Sequence, residues 1–315
     1  MGCTRPATLR AAMCTVKTSA LARAGLLGNP SDLYGGRGIG FTIQGWQVDL
    51  ELAEATEVDL GSDLLLAGWK VFCAHTGRGP EAGFTATFTT TIPRQVGLAG
   101  SSAILIALLR ALAIAFATPL DPLTMARLAL SAEVDLLGIR AGPMDRLVQA
   151  HEGLLALDFL VPFAQGSVQR LDAGLAPPML IAWDTEPKKT SGAVHTPVWD
   201  RFQAGDPVVH AVLAEYRPLV ERGLAALLRG DREELMACVN RNFDLRASIF
   251  AIGERDRAMI QLGRAAGAAT KFCGSGGAIL AVTATREAIS SLVSEYHGAG
   301  FAAREVVIGS SLPCT

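Results

Sequence analysis

Hydrophobic and polar positions along the chain change their period several times, and each change predicts a different element. Residues 20–60 predict strands broken by turns, with alternation clearest in WQVDLELA. The run SDLLLAGWKVFCAH has helical spacing behind a cap at Ser62 and Asp63. The alternating, threonine-rich run GFTATFTTTI predicts a strand that leads the chain to Pro93.

Helical spacing dominates the next part of the chain. The apolar run from Ala103 to Ala117 predicts a buried helix, because it carries Arg110 and is shorter than a membrane span. DPLTMARLALSAEVDLL predicts a second helix, capped by Asp121 with Pro122 at its first position. AGPMDRLVQAHEG predicts a shorter helix, and LLALDF predicts a strand.

The composition shifts near residues 173–178, and this shift suggests a domain boundary. The strand MLIAW follows, then three helical stretches over about 194–266 and a closing strand–turn–strand–helix–strand pattern. We therefore predict an α+β chain with an N-terminal tail at 1–19, a first domain at 20–174 and a second at 175–315. The tail lacks a long apolar segment, so no signal peptide is expected, and either it is loose or Met13 is the true start.

Composition excludes several functional classes. The chain has 315 residues, of which 50% are hydrophobic and 18% charged, and its formal net charge is −2. These values suit two domains with real cores and give no sign of a nucleic-acid or membrane-surface partner. Six cysteines without a CxxC pair and five scattered histidines indicate neither a disulfide framework nor a zinc site. Reduced cysteines in a cytoplasmic protein are therefore expected.

The segment PRQVGLAGSSAILIALLRALAIAFA places a loop of small residues directly before an apolar helix. Helix N-termini present unpaired N–H groups and the positive end of the helix dipole, which suits a phosphate. Gly97 and Gly100 would let the backbone approach an anion, and Ser101 and Ser102 add hydroxyls. The segment is neither Walker A nor GxGxxG. The alternative is a tight turn packed against a core helix.

Two carboxylates are candidates for kinase chemistry, which needs a metal ion and a group for the acceptor proton. Glu133 lies on an otherwise apolar helix, so it either faces inward toward a magnesium ion or is solvated beside Asp135. Asp145 follows Gly142 and Pro143 at a helix start. It is either the base for the acceptor hydroxyl or a helix-end residue paired with the neighbouring arginine.

Two further loops carry polar or glycine residues. ARAGLLGNPSDLYGG places Arg23, Asn29, Ser31 and Asp32 around a strand end. Their mixed donors and acceptors suit sugar hydroxyls, although Asn-Pro-Ser-Asp is also a good turn in its own right. KFCGSGGAI, at residues 271–279, is a glycine-rich turn between strands and is a weak signal alone, since hairpins use the same residues.

Together the three loops resemble the motifs of the GHMP kinases, the family of galactokinase, homoserine kinase and mevalonate kinase, in the family's order and at plausible spacing. Within it, GLLGNPSD, TIPRQVGLAGSSAI, AGPMDRLVQAHEGLLALDF, NRNFDLR and KFCGSGGA resemble segments of the glucuronokinase branch. The chain departs from that branch at residues 34–36 and at Pro143-Met144, both near the acceptor site. The resemblance implies a two-domain α+β fold with ATP and acceptor in the cleft between the domains.

The resemblance also implies roles for individual residues. The loop that wraps the ATP phosphates comprises Pro93, Gly97, Leu98, Ala99, Gly100, Ser101, Ser102 and Ala103. Ser102 and Glu133 would hold Mg²⁺. Asp145 would be the base or an orienting carboxylate, and Arg23 would neutralise charge near the transferred phosphoryl group. The acceptor side comprises Asn29, Asp32, Gly274, Ser275 and Gly276.

The implied activity is an ATP- and magnesium-dependent phosphotransfer to a sugar or sugar-acid hydroxyl, foremost from glucuronate to glucuronate 1-phosphate. An acid sugar needs a cation for its carboxylate, and the sequence does not choose among Arg37, Arg140, Arg146, Lys188 and Lys189. The alternatives are another acceptor (a neutral sugar, a heptose phosphate or an amino alcohol), a catalytically silent ligand-binding paralogue, and a decarboxylase of the mevalonate branch.

Overall fold

Two antiparallel sheets organise the molecule. The computed structural model describes residues 15–78, 83–185 and 191–310. The first sheet contains β1 (Val16–Leu27), β2 (Arg37–Glu54), β3 (Phe84–Thr90), β4 (Leu154–Asp158) and β5 (Val168–Leu171). The long strand β2 pairs with β1 along its length, with β4 through its first residues and with β3 through its last. The strand predictions for the first half of the chain are thus confirmed, and β1 begins inside the predicted tail.

Four α-helices of the described chain accompany the first sheet, and two of them start at the predicted caps. They are α1 (Asp63–Thr76), α2 (Gly100–Ala115), α3 (Pro122–Ser131) and α4 (Met144–His151). The Ser62 hydroxyl accepts a hydrogen bond from Leu65 N, and the Asp121 carboxylate accepts one from Thr124 N, so both predicted N-caps are confirmed. The helix predicted after Asp121 changes to π-helical geometry over Ala132–Leu136.

The second half of the chain is built on the other sheet. It contains β6 (Met179–Trp183), β7 (Ala269–Phe272), β8 (Ala278–Val282) and β9 (Ala302–Glu305), in the order β7-β8-β6-β9. The helices are α5 (Ser191–Gln203), α6 (Pro207–Ala214), α7 (Tyr216–Arg229), α8 (Arg232–Ile249), α9 (Glu254–Ala265) and α10 (Glu287–Gly298). The prediction of three helical stretches over 194–266 was wrong, because four short breaks, the first of them just before Pro207, divide this described region into five helices.

The core connects the two sheets. Helix α2 packs on β1 and β2, and its side chains from Leu105 to Leu109 are fully buried, as its apolar sequence predicted. Helix α7 packs on β2, and α8 packs on both β1 and β7. The α+β class is therefore confirmed, while the boundary near residue 174 stays a prediction. Within the described residues, none of the helices combines the length and the apolar character needed to cross a bilayer.

Candidate active site

A cavity of about 850 Å³ brings together residues from both halves of the chain. Most of the predicted site residues line it: Arg23, Asn29, Asp32, Pro93, Gly97, Leu98, Ala99, Gly100, Ser101, Glu133, Asp145, Gly274 and Ser275. Three do not. Ala103 is buried inside α2, Ser102 is buried beneath the loop, and Gly276 lies outside the lining. Most of the site residues predicted from the sequence therefore lie at this cavity, although the sequence could not separate lining residues from those behind them.

The predicted phosphate loop, which precedes α2, leaves the start of this helix open toward the cavity. Gly97 and Ala99 both have left-handed backbone conformations, with φ of 73° and 62°, and they turn the chain sharply into the helix. Unlike α1 and α3, α2 starts without a side-chain cap bond from the described residues. The first N–H groups of the helix and the positive end of its dipole thus lie at the cavity wall. This is the arrangement with which helix N-termini bind phosphates.

The turn between β7 and β8 packs directly against the phosphate loop. A Cβ atom added at Gly97 would lie 2.8 Å from Gly276 O and 3.0 Å from Ser275 N. Only glycine allows the two backbones to approach so closely, and the positive φ at this position favours glycine as well. The two glycine-rich segments, which are almost 180 residues apart in the sequence, therefore form one wall.

Arg23 connects this wall to the predicted catalytic carboxylate. Its Nε donates to Asp145 Oδ1 at 2.6 Å, and its Nη1 donates to Gly97 O and Cys273 O, each at 3.0 Å. Asp145 is also 3.6 Å from Arg146 Nη1 through its other oxygen. Two guanidinium groups thus hold the Asp145 side chain, which remains 24% exposed at the cavity. The alternative, a helix-end aspartate paired with Arg146, does not describe this site fully, because the shorter contacts of Asp145 are to Arg23.

Glu133 faces inward and is 1% exposed, whereas Asp135 is exposed and accepts a hydrogen bond from Ser131. The Ser101 hydroxyl donates to Glu133 Oε1 at 2.7 Å, and the Arg146 guanidinium donates to Oε2. A buried carboxylate needs such partners. The inward orientation that the sequence left open is therefore the observed one.

The serine next to Glu133 is not the one that the resemblance implied. Ser102 is buried and donates to Gln149 Oε1 at 2.6 Å, while Ser101 is exposed to the cavity and contacts Glu133. Successive residues on a helix point about 100° apart, so only one of the two can face the carboxylate. The Ser102 assignment as a metal ligand stays a prediction, and Ser101 is a second candidate.

The oxygen donors at this point fit a magnesium ion that is shared with phosphate groups. One carboxylate and one hydroxyl, Glu133 and Ser101, lie together at the cavity wall. Among the described residues, no group of three or more histidine, cysteine, aspartate or glutamate side chains is suited to hold a metal. Magnesium often takes only one or two protein carboxylates and completes its shell with phosphate oxygens and water.

Asn29 is occupied by the protein itself. Its amide nitrogen donates to Phe272 O at 3.3 Å and Gly274 O at 3.2 Å, and its amide oxygen accepts from Lys271 Nζ. Lys271 is fully buried, and burial lowers the pKa of its ammonium to about 7. This geometry favours a role for Asn29 in fixing the β7–β8 turn, and its predicted contact with the acceptor stays untested.

Asp32 lies at the other side of Asp145, close to the loop before α4. A Cβ atom at Gly142 would lie only 2.0 Å from Asp32 Oδ2, so glycine is needed for this approach. Burial, and next the negative charge of Asp145, raise the pKa of Asp32 to about 6. Asp32 therefore remains a candidate for an acceptor-binding carboxylate with an unusually high proton affinity.

Two supporting residues were not singled out from the sequence. Gln149 donates to Leu21 O and Ala99 O, so it fixes the last residue before α2 from beneath. Arg246 is 2% exposed and donates to Gly274 O and Ser275 O at 3.1 and 2.8 Å. Both residues lie in segments that resemble the family, and this resemblance was the signal that could have identified them. Each side chain donates to backbone carbonyls of distant segments, and the sequence does not show that these segments are close.

Comparisons with known proteins identify relatives over most of the chain. The family model described as the GHMP kinases N terminal domain matches residues 63–153, and the GHMP kinases C terminal model matches residues 224–301. Glucuronokinase 1 of Arabidopsis thaliana is 33% identical, with 95% of this chain and 94% of the relative covered. Probable glucuronokinase 2 of the same plant is 36% identical, with 82% of each covered.

Solved structures share the fold at low sequence identity. The Lactococcus lactis galactokinase complexed with galactose has a TM-score of 0.77 at 16% identity, with 95% of each chain covered. The Methanococcus jannaschii mevalonate kinase has a TM-score of 0.73 at 16% identity, covering 96% of this chain and 100% of that one. These likenesses concern the fold, and they agree with the two-domain α+β arrangement predicted from the motifs.

Proposed function

The chain belongs to the GHMP kinase family, and from this premise we propose that it transfers the γ-phosphoryl group of ATP to the anomeric hydroxyl of glucuronate. The products would be ADP and glucuronate 1-phosphate. The two Arabidopsis relatives named as glucuronokinases support the acceptor, and the family supports the use of ATP. In this proposal the cavity between the two halves of the chain holds both substrates.

The phosphates would bind at the open start of α2. The unpaired N–H groups there match phosphate oxygens, and the loop backbone, rather than its side chains, would make most of the contacts. Leu98 is 1% exposed, so this residue would contribute only its main chain. Glu133 and Ser101 would hold Mg²⁺, which when bound offsets negative charge on the phosphates.

The acceptor hydroxyl would lie beside Asp145. A carboxylate can accept the hydroxyl proton or hold the hydroxyl in line with the phosphoryl group, and phosphoryl transfer depends mainly on such positioning and on charge stabilisation. Arg23 is joined to both Asp145 and the phosphate loop. In the proposed complex its positive charge would lie where negative charge develops between the two substrates.

One observation carries the proposal. The uncapped start of α2 and the Arg23–Asp145 ion pair line the same cavity and are connected through the hydrogen bond from Arg23 Nη1 to Gly97 O at 3.0 Å. Phosphoryl transfer to an alcohol requires a backbone that binds phosphate close to a carboxylate that orients the hydroxyl. Here a single side chain, Arg23, would connect the two.

The test is an acceptor panel. Purified protein is incubated with ATP, magnesium and glucuronate, galacturonate, glucose, galactose, a heptose phosphate or an amino alcohol, and ADP release is followed. We expect kcat/KM for glucuronate to exceed that for glucose by roughly 10²-fold or more, because a site built for a polar group rejects the analogue that lacks it. Phosphorus NMR should show an anomeric phosphate. A higher kcat/KM for any other acceptor, or ATP binding without turnover, would overturn the proposal.

A further inference from the structure

We infer that Arg140 receives the carboxylate of the acceptor and thereby selects acid sugars over neutral ones. This inference rests on the proposed function, since it assigns the specificity of that same cavity. Arg140 lies in the loop between the π-helical turn and α4, and it lines the cavity together with Asp32 and Asp145. Arg140 thus provides a cation in the same cavity as the proposed reacting groups. It is distinct from Arg23 and Arg146, which hold Asp145.

The other predicted cations are occupied or lie elsewhere. Arg37 is outside the cavity lining and has carboxylates of Asp158 and Glu221 at 3.5 and 3.2 Å. Arg146 is buried between the carboxylates of Glu133 and Asp145. Lys188 and Lys189 lie outside the described residues. Of the predicted cations in the described ranges, Arg140 is therefore the candidate that remains.

The Arg140 guanidinium is uncommitted within the described part of the chain. It makes no hydrogen bond or ion pair to any residue there, and its Nε is buried without a partner. Its one specific contact is with an aromatic ring, since the guanidinium carbon lies 4.9 Å from the Trp199 ring centroid. A buried donor without a partner is costly, and a guanidinium fork matches a carboxylate in geometry and charge. An acid ligand would supply a hydrogen-bond acceptor and a negative charge for this guanidinium.

Further unpartnered polar groups lie near Trp199. Tyr34 packs on the Trp199 ring at 5.8 Å between centroids, and its buried Oη has no hydrogen-bond partner among the described residues. His195, one helical turn before Trp199 on α5, lines the cavity, and its buried Nδ1 likewise has none within the described ranges. Burial lowers the pKa of His195 to about 3, so the imidazole is neutral at neutral pH. Neutral donors and acceptors beside the Arg140 cation suit a polyhydroxy acid.

Arg246 provides the contrast. It also lines the cavity, but both of its Nη groups donate to carbonyls of the β7–β8 turn, and its guanidinium lies over the rings of Phe250 and Phe272. Its fork is therefore used to shape the wall. Arg140 differs because, among the described residues, its planar fork contacts a ring and makes no hydrogen bond or ion pair, so a ligand can pair with its edge.

The experiment compares Arg140→Gln with Arg37→Gln. The second variant is the control, because it also removes one positive charge, but from a position outside the cavity. We expect Arg140→Gln to raise KM for glucuronate by roughly 10- to 100-fold with little change in kcat or in KM for ATP, since it loses one charge-assisted contact. The ratio of kcat/KM for glucuronate over glucose should fall by a similar factor. Arg37→Gln should keep the wild-type ratio, and Arg140→Lys should recover only part of it, because a point charge replaces the fork.

Two outcomes would overturn the inference: an unchanged ratio in Arg140→Gln, or an equal loss of activity on glucuronate and glucose, which would make Arg140 structural. Calorimetric titration of folded Arg140→Gln with glucuronate gives a second readout, in which wild-type affinity would count against it. Failure of the proposed function is distinguishable, because the wild-type protein itself would then not phosphorylate glucuronate.

Discussion

Arg23 and Asp145 form an ion pair although they are 122 positions apart in the sequence, with Nε and Nη2 of the arginine 2.6 and 2.5 Å from the same carboxylate oxygen. The second carboxylate oxygen remains available beside Arg146 at 3.6 Å. The pair thus fixes Asp145 from one side and leaves part of it exposed to the cavity. This arrangement allows either proton transfer or simple orientation of a hydroxyl.

Substitution of Asp145 separates these two roles. If Asp145 is the base, Asp145→Asn should lower kcat by about 10²- to 10⁴-fold while both substrates still bind. If it only orients the hydroxyl, the asparagine variant should keep much of the activity and Asp145→Ala should lose it. Steady-state kinetics and calorimetry on both variants decide the question. Near-wild-type kcat in both would place the reacting hydroxyl elsewhere.

Gly100 is predicted to be needed for ATP rather than for folding. A Cβ at Gly100 would meet only Ile92 Cγ2, at 4.0 Å, so Gly100→Val is expected to fold normally but to obstruct phosphate binding at the start of α2. Gly97→Ala is the matched contrast, because its Cβ would collide with the β7–β8 turn and should lower the melting temperature. Unchanged ATP affinity in folded Gly100→Val would remove the loop from the nucleotide site.

The two loop serines should respond differently to truncation. Ser101→Ala is expected to raise the magnesium concentration needed for half-maximal activity, because Ser101 contacts Glu133 at the cavity. Ser102→Ala should instead cost about 1–3 kcal/mol of stability, since it removes the hydroxyl that donates to the buried Gln149 Oε1. Magnesium titrations and urea denaturation of both variants test this. A magnesium effect confined to Ser102→Ala would restore the original assignment.

Asp32 should make stability depend on pH. Its pKa is raised from 3.8 to about 6 in the folded protein, so the native state binds a proton that the unfolded chain releases between these values. The contribution of this group to the free energy of unfolding is therefore complete below about pH 4 and is lost as the pH rises through 6. Asp32→Asn should be more stable than wild type at pH 7.5 by about 1–2 kcal/mol, a value reduced for partial solvent exposure.

The comparison is made by urea denaturation of both proteins at pH 4.0 and 7.5. The stability difference should shrink toward pH 4, where Asp32 is mostly protonated in the folded state. Since all other titrating groups are shared, they largely cancel between the two proteins. An equal difference at both pH values would show that Asp32 has an ordinary pKa.

The sequence by itself determined the family and the α+β class, and it singled out residues from distant segments that line one cavity. These follow from local patterns: alternation and helical spacing define the elements, and Ser62 and Asp121 mark helix starts through bonds to the next turn. The glycine-rich loops were recognisable because backbone approach to a phosphate requires small residues in consecutive positions. The family predicted from them is confirmed by the matches over 63–153 and 224–301.

Only the tertiary structure decided which side chains are free. Arg140 and Arg146 are six residues apart and equally basic, yet Arg146 is neutralised by Glu133 and Arg140 has no ion pair in the described part of the chain. Ser101 and Ser102 are adjacent, yet one faces the cavity and the other faces Gln149. Such differences depend on long-range contacts and on the direction in which each helix face points. Packing between distant segments sets both, so local residue preferences do not determine them.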